Sequence, residues 1–412
     1  MPVASRQKLF DALKVRDFAL LWTGQGVSAR GDGIFSVALV IETLHVDHSP
    51  TGLAYVIAAR AVPSVGFSLL GGVMVDRLPK RLTMLGADTV RGLAVGAIAV
   101  LVAIGRIDLL VLVLMSAVFG SADAFFGPAS MSMVPELLPA DLLVQGNALS
   151  STTSNLASSL LGPATGGAVV GIIGLAGSFT ADAGSFAFSA ACLLLMAGRP
   201  RPESRGTSKL AEAKEGLRYV TSRRWLLATL IAASAANFFG IAPFAVLLPL
   251  LVRHELRASP LALGLVFAAG GAAGVVASLV VAKLGAPKKR ILVMWCAYAL
   301  AGGAIACMAA APDVVLVGAL SAIEVGLIVY GDVLYVSMMQ QLVPQELRGR
   351  VFSAAYLLAF VLTPLGTVAG GFAAASFGTR TAVLLSGCLS AASCLVVVLP
   401  SVRNPEETAA LA

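Results

Sequence analysis

Six charged side chains stand inside apolar runs: Arg30, Asp32, Arg60, Asp123, Glu324 and Asp332. An ionisable group held in hydrocarbon costs about 3 kcal/mol, so it faces a cavity or a partner and is a functional candidate by default. At about 1.5 Å per residue, Arg30 and Asp32 lie about 21 and 18 Å from the outer end of their helix, Arg60 about 14 Å and Asp123 about 21 Å from theirs. Four charges from three helices thus share one layer. Glu324 lies about 15 Å from the outer end of its helix, and Asp332 returns to nearly the same face eight residues later. Burial opposes ionisation of a carboxylate, and a neighbouring guanidinium favours it. Such a set exchanges protons if Arg30 or Arg60 alternately pairs with and releases Asp32 and Asp123, with Glu324 adding a proton or cation site. The same residues also fit a static ion-pair network that clamps helices together. Asp88 and Arg91, one turn apart near the inner end of their helix, are expected to brace the loop before them, and Glu42 and Asp182 to lie solvated near the outer surface.

Other chemistry has no residues to carry it. The three histidines, His45, His48 and His254, fall in outer loops without metal-ligand spacing, so no metal site is expected. There is no His-Glu-x-x-His pair, nucleophile elbow or phosphate-binding loop, so neither catalysis nor an organic cofactor is expected.

These charges are positioned by long apolar helices. Of 412 residues, 58% are hydrophobic and 12% charged, and the mean hydropathy is +0.90. Soluble domains carry about 25% charged residues, which excludes a water-soluble enzyme. Apolar runs bounded by charge, Pro or Gly predict an all-α polytopic protein with twelve spans, 18–44, 52–75, 82–104, 109–134, 146–171, 178–198, 226–251, 260–282, 291–311, 314–338, 351–376 and 381–399. The first is long for a signal peptide and is expected to be retained. The five cysteines lie within apolar stretches, away from any extramembrane disulfide.

With a cytoplasmic N-terminus, 22 of the 29 Lys and Arg residues fall in cytoplasmic segments and 4 in external loops. The positive-inside rule therefore puts both termini in the cytoplasm and reads the net charge of +7 as topology rather than nucleic-acid binding. The segment 199–225 separates an N-terminal six-helix bundle, 1–198, from a C-terminal one, 226–412. This segment contains an amphipathic stretch from Lys209, either a solvated or interfacial linker helix or a regulatory partner site. The halves echo one another: Leu138-Pro139-Ala140-Asp141-Leu142 recurs as Val343-Pro344-Gln345-Glu346-Leu347, 205 residues later, and Pro163 has a counterpart in Pro364. A six-plus-six duplication is the layout of secondary transporters.

Between the second and third spans the chain reads Gly72-Val-Met-Val-Asp76-Arg77-Leu-Pro79-Lys80-Arg81. It resembles the signature loop of the major facilitator superfamily, with Pro79 where that pattern has Gly. The resemblance implies that Gly72, Asp76, Arg77, Lys80 and Arg81, with Asp88 and Arg91, latch the cytoplasmic side. In the fifth span, Ser158, Gly162, Pro163, Gly166 and Gly167 resemble the Gly-Pro-x-x-Gly-Gly motif associated with antiporters, Ser158 replacing its leading Gly. Positions 158, 162 and 166 form a small-residue strip for close packing, with a matching strip on the eighth span at Gly270 and Gly274. Gly31-Asp32-Gly33-Ile34, Ala124-Phe-Phe-Gly-Pro128-Ala129 and Pro344-Gln-Glu-Leu-Arg348-Gly349-Arg350-Val351-Phe352 are similar to the exporter branch containing macrolide-efflux and enterobactin-export proteins.

The resemblance implies the major facilitator fold, with spans 1, 4, 7 and 10 lining a central cavity where Asp32, Asp123 and Glu324 meet. It also implies proton-driven export of an amphipathic small molecule by alternating access. A nutrient-importing symporter and a non-transporting membrane sensor are the other classes the sequence admits. The expected partners are substrate, protons and the lipid bilayer, with the chain acting as a monomer. The absence of Asn-x-Ser/Thr sites fits a bacterial cytoplasmic membrane.

Overall fold

The computed structural model describes residues 9–75, 79–139, 142–197, 209–284, 287, 289–344 and 347–398. Every regular element among them is helical. In the first half these are α1 (Arg16–Val46), α2 (Pro50–Val75), α3 (Lys80–Ala103), α4 (Leu109–Leu137), α5 (Leu143–Asn155) and α6 (Gly162–Leu195). After α7 (Lys209–Ser222) come α8 (Arg224–Ala236), α9 (Ala242–Leu250), α10 (Pro260–Leu284), α11 (Arg290–Met308) and α12 (Val314–Leu342). The chain continues through α13 (Arg348–Phe360), α14 (Thr363–Phe377) and α15 (Thr379–Ser393). Nine helical stretches among the described residues are long and apolar enough to cross a membrane. Side chains such as Ile172, Leu284 and Val315 point outward at 77–81% exposure, as a hydrocarbon surrounding requires.

Several expected spans are built from pieces. The fifth joins α5 to the first arm of α6 through a π turn, Leu156–Leu161. The seventh joins α8 to α9 through another, Asn237–Ile241. The fifth and sixth spans meet at Gly174, whose φ of 71° lies in the left-handed region where a β-carbon is strained. Gly378, 204 residues later with φ 82°, makes the same turn between α14 and α15. The duplication extends to capping: Asp108 accepts a hydrogen bond from Val111 N at 2.8 Å at the start of α4, and Asp313 one from Leu316 N at 2.9 Å at the start of α12. Each cap contributes about 1 kcal/mol.

The chain divides into two compact units, residues 1–47 with 59–205, and residues 48–58 with 206–412. In the first, α1 lies against both arms of α6. A methyl group built on Gly33 would come within 2.6 Å of Gly162 Cα, and one on Gly166 within 3.0 Å of Ile34 Cα. The antiporter-type motif is thus the surface on which α1 rests, with Pro163 and Gly167 buried beside the contact. Of Ser158 only the backbone, within the π turn, is described. In the second unit Gly270 and Gly274, the strip expected to match it, lie against Val325 and Val329 of α12. The counterpart of the α1–α6 contact is Gly366 and Gly370 of α14 against Phe238 and Pro243. Small residues let any two helices approach closely, so the strip alone does not name its partner.

One end of the first unit is tied by basic side chains. Arg81 donates from Nε to Leu193 O at 2.6 Å and from Nη2 to Leu194 O at 2.7 Å, holding α3 to the carbonyl end of α6. Lys80 reaches Ser132 O at 3.1 Å and pairs with Glu136 of α4. Gly72 falls in the last turn of α2, and Asp76 and Arg77 lie outside the described residues. The central segment is described from α7, which packs on α13: Val220 is fully buried, and Glu215 pairs with Arg350.

The Gly33–Gly162 contact yields a stability prediction. Gly33→Val or Gly162→Val is expected to cost about 1–3 kcal/mol through overpacking and to lower the melting temperature in detergent. Gly184→Ala, with nothing within 4 Å of the added methyl, is expected to leave it within about 0.5 kcal/mol of the parent.

Candidate functional site

In the first unit, α1, α2, α3, α4 and α6 bring their charges to one place. Arg91 of α3 is 2% exposed. Its Nη1 donates to Asp123 Oδ1 at 2.9 Å, and its Nη2 donates to Asp88 Oδ1. The other oxygen of Asp88 accepts from Ser189 of α6 at 2.7 Å, fixing that carboxylate from both sides. The other oxygen of Asp123 lies 3.5 Å from Arg60 Nη2, so Asp123 stands between two guanidinium groups from different helices. Asp123 is 32% exposed, whereas Asp88 is fully buried.

Aromatic faces complete the cage. The Arg91 guanidinium lies 4.1 Å from the Phe126 ring centre and 4.6 Å from that of Phe186, and Arg60 lies 4.4 Å from that of Phe119. Phe119 stacks on Phe35 with centroids 5.0 Å apart. Cations over ring faces gain electrostatic stabilisation while water is kept away. Asp32 and Asp182 sit at the edge of this cluster, within electrostatic reach of both arginines. Asp182 accepts from Ser185 at 3.2 Å. Asp32 Oδ1, Asp182 Oδ2 and Arg91 Nε are buried and make no hydrogen bond among the described residues. A cavity of about 250 Å³ opens onto the cluster, lined by Gln25, Ser28, Asp32, Arg91, Asp123 and Ser130. Four carboxylates here face two guanidinium groups, an arrangement that can hold and pass protons.

Several residues lie elsewhere than the sequence led us to expect. Arg30 is exposed and makes no ion pair among the described residues. Side chains two apart on a helix point about 200° away from each other, so Asp32 facing inward turns Arg30 outward. Asp88 and Arg91 belong to the charge cluster, and residues 76–78 of the loop they were expected to brace lie outside the described residues. Asp182 is fully buried, because the second arm of α6 starts at the Gly174 turn and carries it about 12 Å into the bundle. Glu42 is also buried, at 5% exposure and 4.0 Å from His45 Nδ1. Ser185 and Ser189 went unnoticed, although Asp182, Ser185 and Ser189 repeat at helical spacing as a polar stripe on an otherwise apolar helix.

In the second unit Glu324 is 4% exposed with no ion pair among the described residues. Asp332 accepts a hydrogen bond from Tyr298 OH at 2.7 Å. It lines a cavity of about 390 Å³, which Glu324 does not.

Residues 21–364 match the Major Facilitator Superfamily. The chain is 30% identical over 400 residues to the multidrug efflux pump Tap of Mycolicibacterium fortuitum, covering 94% of this chain and 95% of that protein. It is 23% identical over 395 residues to macrolide efflux protein A of Streptococcus pyogenes, covering 94% and 96%. Among solved structures, an inward-facing bacterial homologue of the iron transporter ferroportin aligns with a TM-score of 0.67 at 17% identity, covering 92% of this chain and 98% of that one. A D-xylose–proton symporter aligns with a TM-score of 0.65 at 15% identity, covering 94% and 97%. The match spans most of the sequence and agrees with a helical membrane fold duplicated about its middle, so the chain belongs to the major facilitator superfamily.

Proposed function

We propose that this transporter exports amphipathic organic molecules in exchange for protons, by alternating access, across a bacterial cytoplasmic membrane with both termini inside. The observation that carries the proton-coupling part is Asp123, partly open to a cavity and shared between Arg91 and Arg60. Four carboxylates against two guanidinium groups leave two excess negative charges, which a low-dielectric site does not hold without protons. Asp123 takes up a proton as it leaves one arginine and gives it back on return, and Asp32, with an oxygen that makes no hydrogen bond among the described residues, is the second exchangeable site. Arg91 and Arg60 are the alternating partners, in place of Arg30. The relatives whose names record multidrug and macrolide efflux favour export over uptake. The superfamily also includes a symporter among its structural neighbours, so the direction needs its own test.

Everted membrane vesicles are expected to accumulate an amphipathic drug when a proton gradient is imposed and to stop when it is collapsed; drug loss from them under the same gradient would identify an importer. Asp123→Asn and Asp32→Asn are each expected to lower gradient-driven accumulation at least about tenfold with little change in folded yield. Transport at parental rates in both variants would refute the carboxylate role. Asp88→Asn differs in kind: removing a fully buried partner of Arg91 is expected to cost about 3 kcal/mol or more and to appear first as lost folded protein in a thermal melt.

A further inference from the structure

Asp182 has no part in the cycle proposed above, and it has no surface of its own: it is fully buried and is not among the residues that line the cavity of the first unit. Its place is fixed by the backbone of α1. A methyl group built on Gly31 would come within 2.3 Å of both Asp182 Oδ1 and Ser185 Oγ, so only a glycine leaves room for that hydrogen-bonded pair against the helix. The next residue along α1 is Asp32, and among charged groups it acts on Asp182 more strongly than Arg60 or Arg91 does. Each of the two aspartates keeps one buried oxygen, Asp182 Oδ2 and Asp32 Oδ1, that makes no hydrogen bond among the described residues.

The charges of the cluster do not balance. Arg91 is in contact with Asp88 and Asp123, and Arg60 with Asp123, so the two negative charges in excess are those of Asp32 and Asp182. Two ionised carboxylates side by side in a low dielectric repel, whereas a carboxyl donates to a carboxylate, and one proton relieves both. The duplication shows that the fold does not ask for the second acid. The second arm of α6 has its counterpart in α15, which follows the equivalent glycine turn and carries no carboxylate. There the contact is made by Ser386 and Ser390, which donate to the carbonyls of Phe239 at 2.6 Å and Ala236 at 3.3 Å. Hydroxyls suffice to pack that arm, and a buried acid only makes packing costlier.

We propose that Asp182 is an occluded proton station, loaded and emptied only through Asp32. Asp32 lines the cavity and takes up a proton there. The O–H bond on Asp32 then breaks as one forms on Asp182, and Asp32 regains its negative charge beside Arg60, Arg91, Asp88 and Asp123. Ser185 holds the Asp182 carboxylate in place, donating to Oδ1 and leaving Oδ2 to the proton. The first unit thus keeps one proton out of reach of water while Asp32 and Asp123 exchange theirs. As a step of transport this rests on the proton coupling proposed above. As a statement of where a proton resides it rests on the geometry of α1 and α6 alone.

The test is infrared spectroscopy of the purified full-length chain in detergent, without substrate or gradient, following the C=O stretch of protonated carboxyl groups as water is replaced by deuterium oxide. The parent is expected to show a protonated carboxyl that Asp182→Asn removes, with the variant melting at or above the parental temperature. Asp182→Ser, which installs the kind of side chain used in α15, is expected to remove the same band. Asp32→Asn is expected to keep the band but to slow its deuterium exchange at least about tenfold, because the proton then escapes only by local opening of the helices. A parental spectrum in Asp182→Asn or Asp182→Ser would overturn the proposal, as would parental exchange in Asp32→Asn. Everted vesicles that fail to accumulate drug while these bands behave as expected would count against the export reading alone.

Discussion

Arg91 is buried to 2% exposure within the bundle, and the first half of the protein is arranged around that fact. A guanidinium in hydrocarbon must find counter-charge and donor partners within the fold. Asp88 supplies one oxygen from the same helix, Ser189 fixes the other from α6, and Asp123 closes the second arm of the guanidinium from α4. Those contacts require α3, α4 and α6 to stay in register. The register of α6 depends in turn on the glycine contact with α1 and on the sharp turn at Gly174. The antiporter-type motif, remote from the charges in sequence, therefore acts on them through helix position.

The duplication separates what the fold needs from what the chemistry needs. The aspartate caps of α4 and α12, the positive-φ glycines at 174 and 378, and the glycine contacts of α6 with α1 and of α14 with Phe238 and Pro243 recur at offsets of 204 or 205 residues. These features meet backbone requirements that are the same in both halves. The charge cluster does not recur: Asp123 corresponds to Ile328, and α11, which takes the place of α3 in the second half, carries no charged residue beyond Arg290. Side chains facing an internal cavity are free to diverge once the helices that carry them are fixed by other residues.

This difference explains what could be read from the sequence. Hydropathy and the repeated sequence after the fourth and tenth spans point to an all-helical, duplicated membrane protein, because bilayer thickness and backbone satisfaction impose themselves on every span. Constant rise per residue also puts Asp32, Arg60 and Asp123 in one layer, and in the structure Arg60 lies 3.5 Å from Asp123. Azimuth separates two of the charges: the two-residue spacing of Arg30 and Asp32 forbids both from facing inward. Asp182 was misplaced because the boundary of its helix depends on a glycine turn that hydropathy does not register. The packing partner of a small-residue strip is a tertiary property: Gly270 and Gly274 lie against Val325 and Val329 of α12, which their spacing alone does not name.

Within the cluster, exposure separates two carboxylates that the sequence would treat alike. Asp88 and Arg91 are both out of contact with solvent, and Asp88 has an oxygen committed to each neighbour, so displacing it would strand a buried cation. Asp123 is 32% exposed, meets Arg91 at 2.9 Å and Arg60 at 3.5 Å, and opens on a cavity. A proton arriving at Asp123 releases neither arginine into an empty site: Arg91 keeps Asp88, and Arg60 keeps the Phe119 face at 4.4 Å. In the proposed cycle, then, Asp88 is the fixed counter-charge that makes protonation of Asp123 affordable in a low dielectric, and an exchangeable carboxylate needs a permanent one beside it.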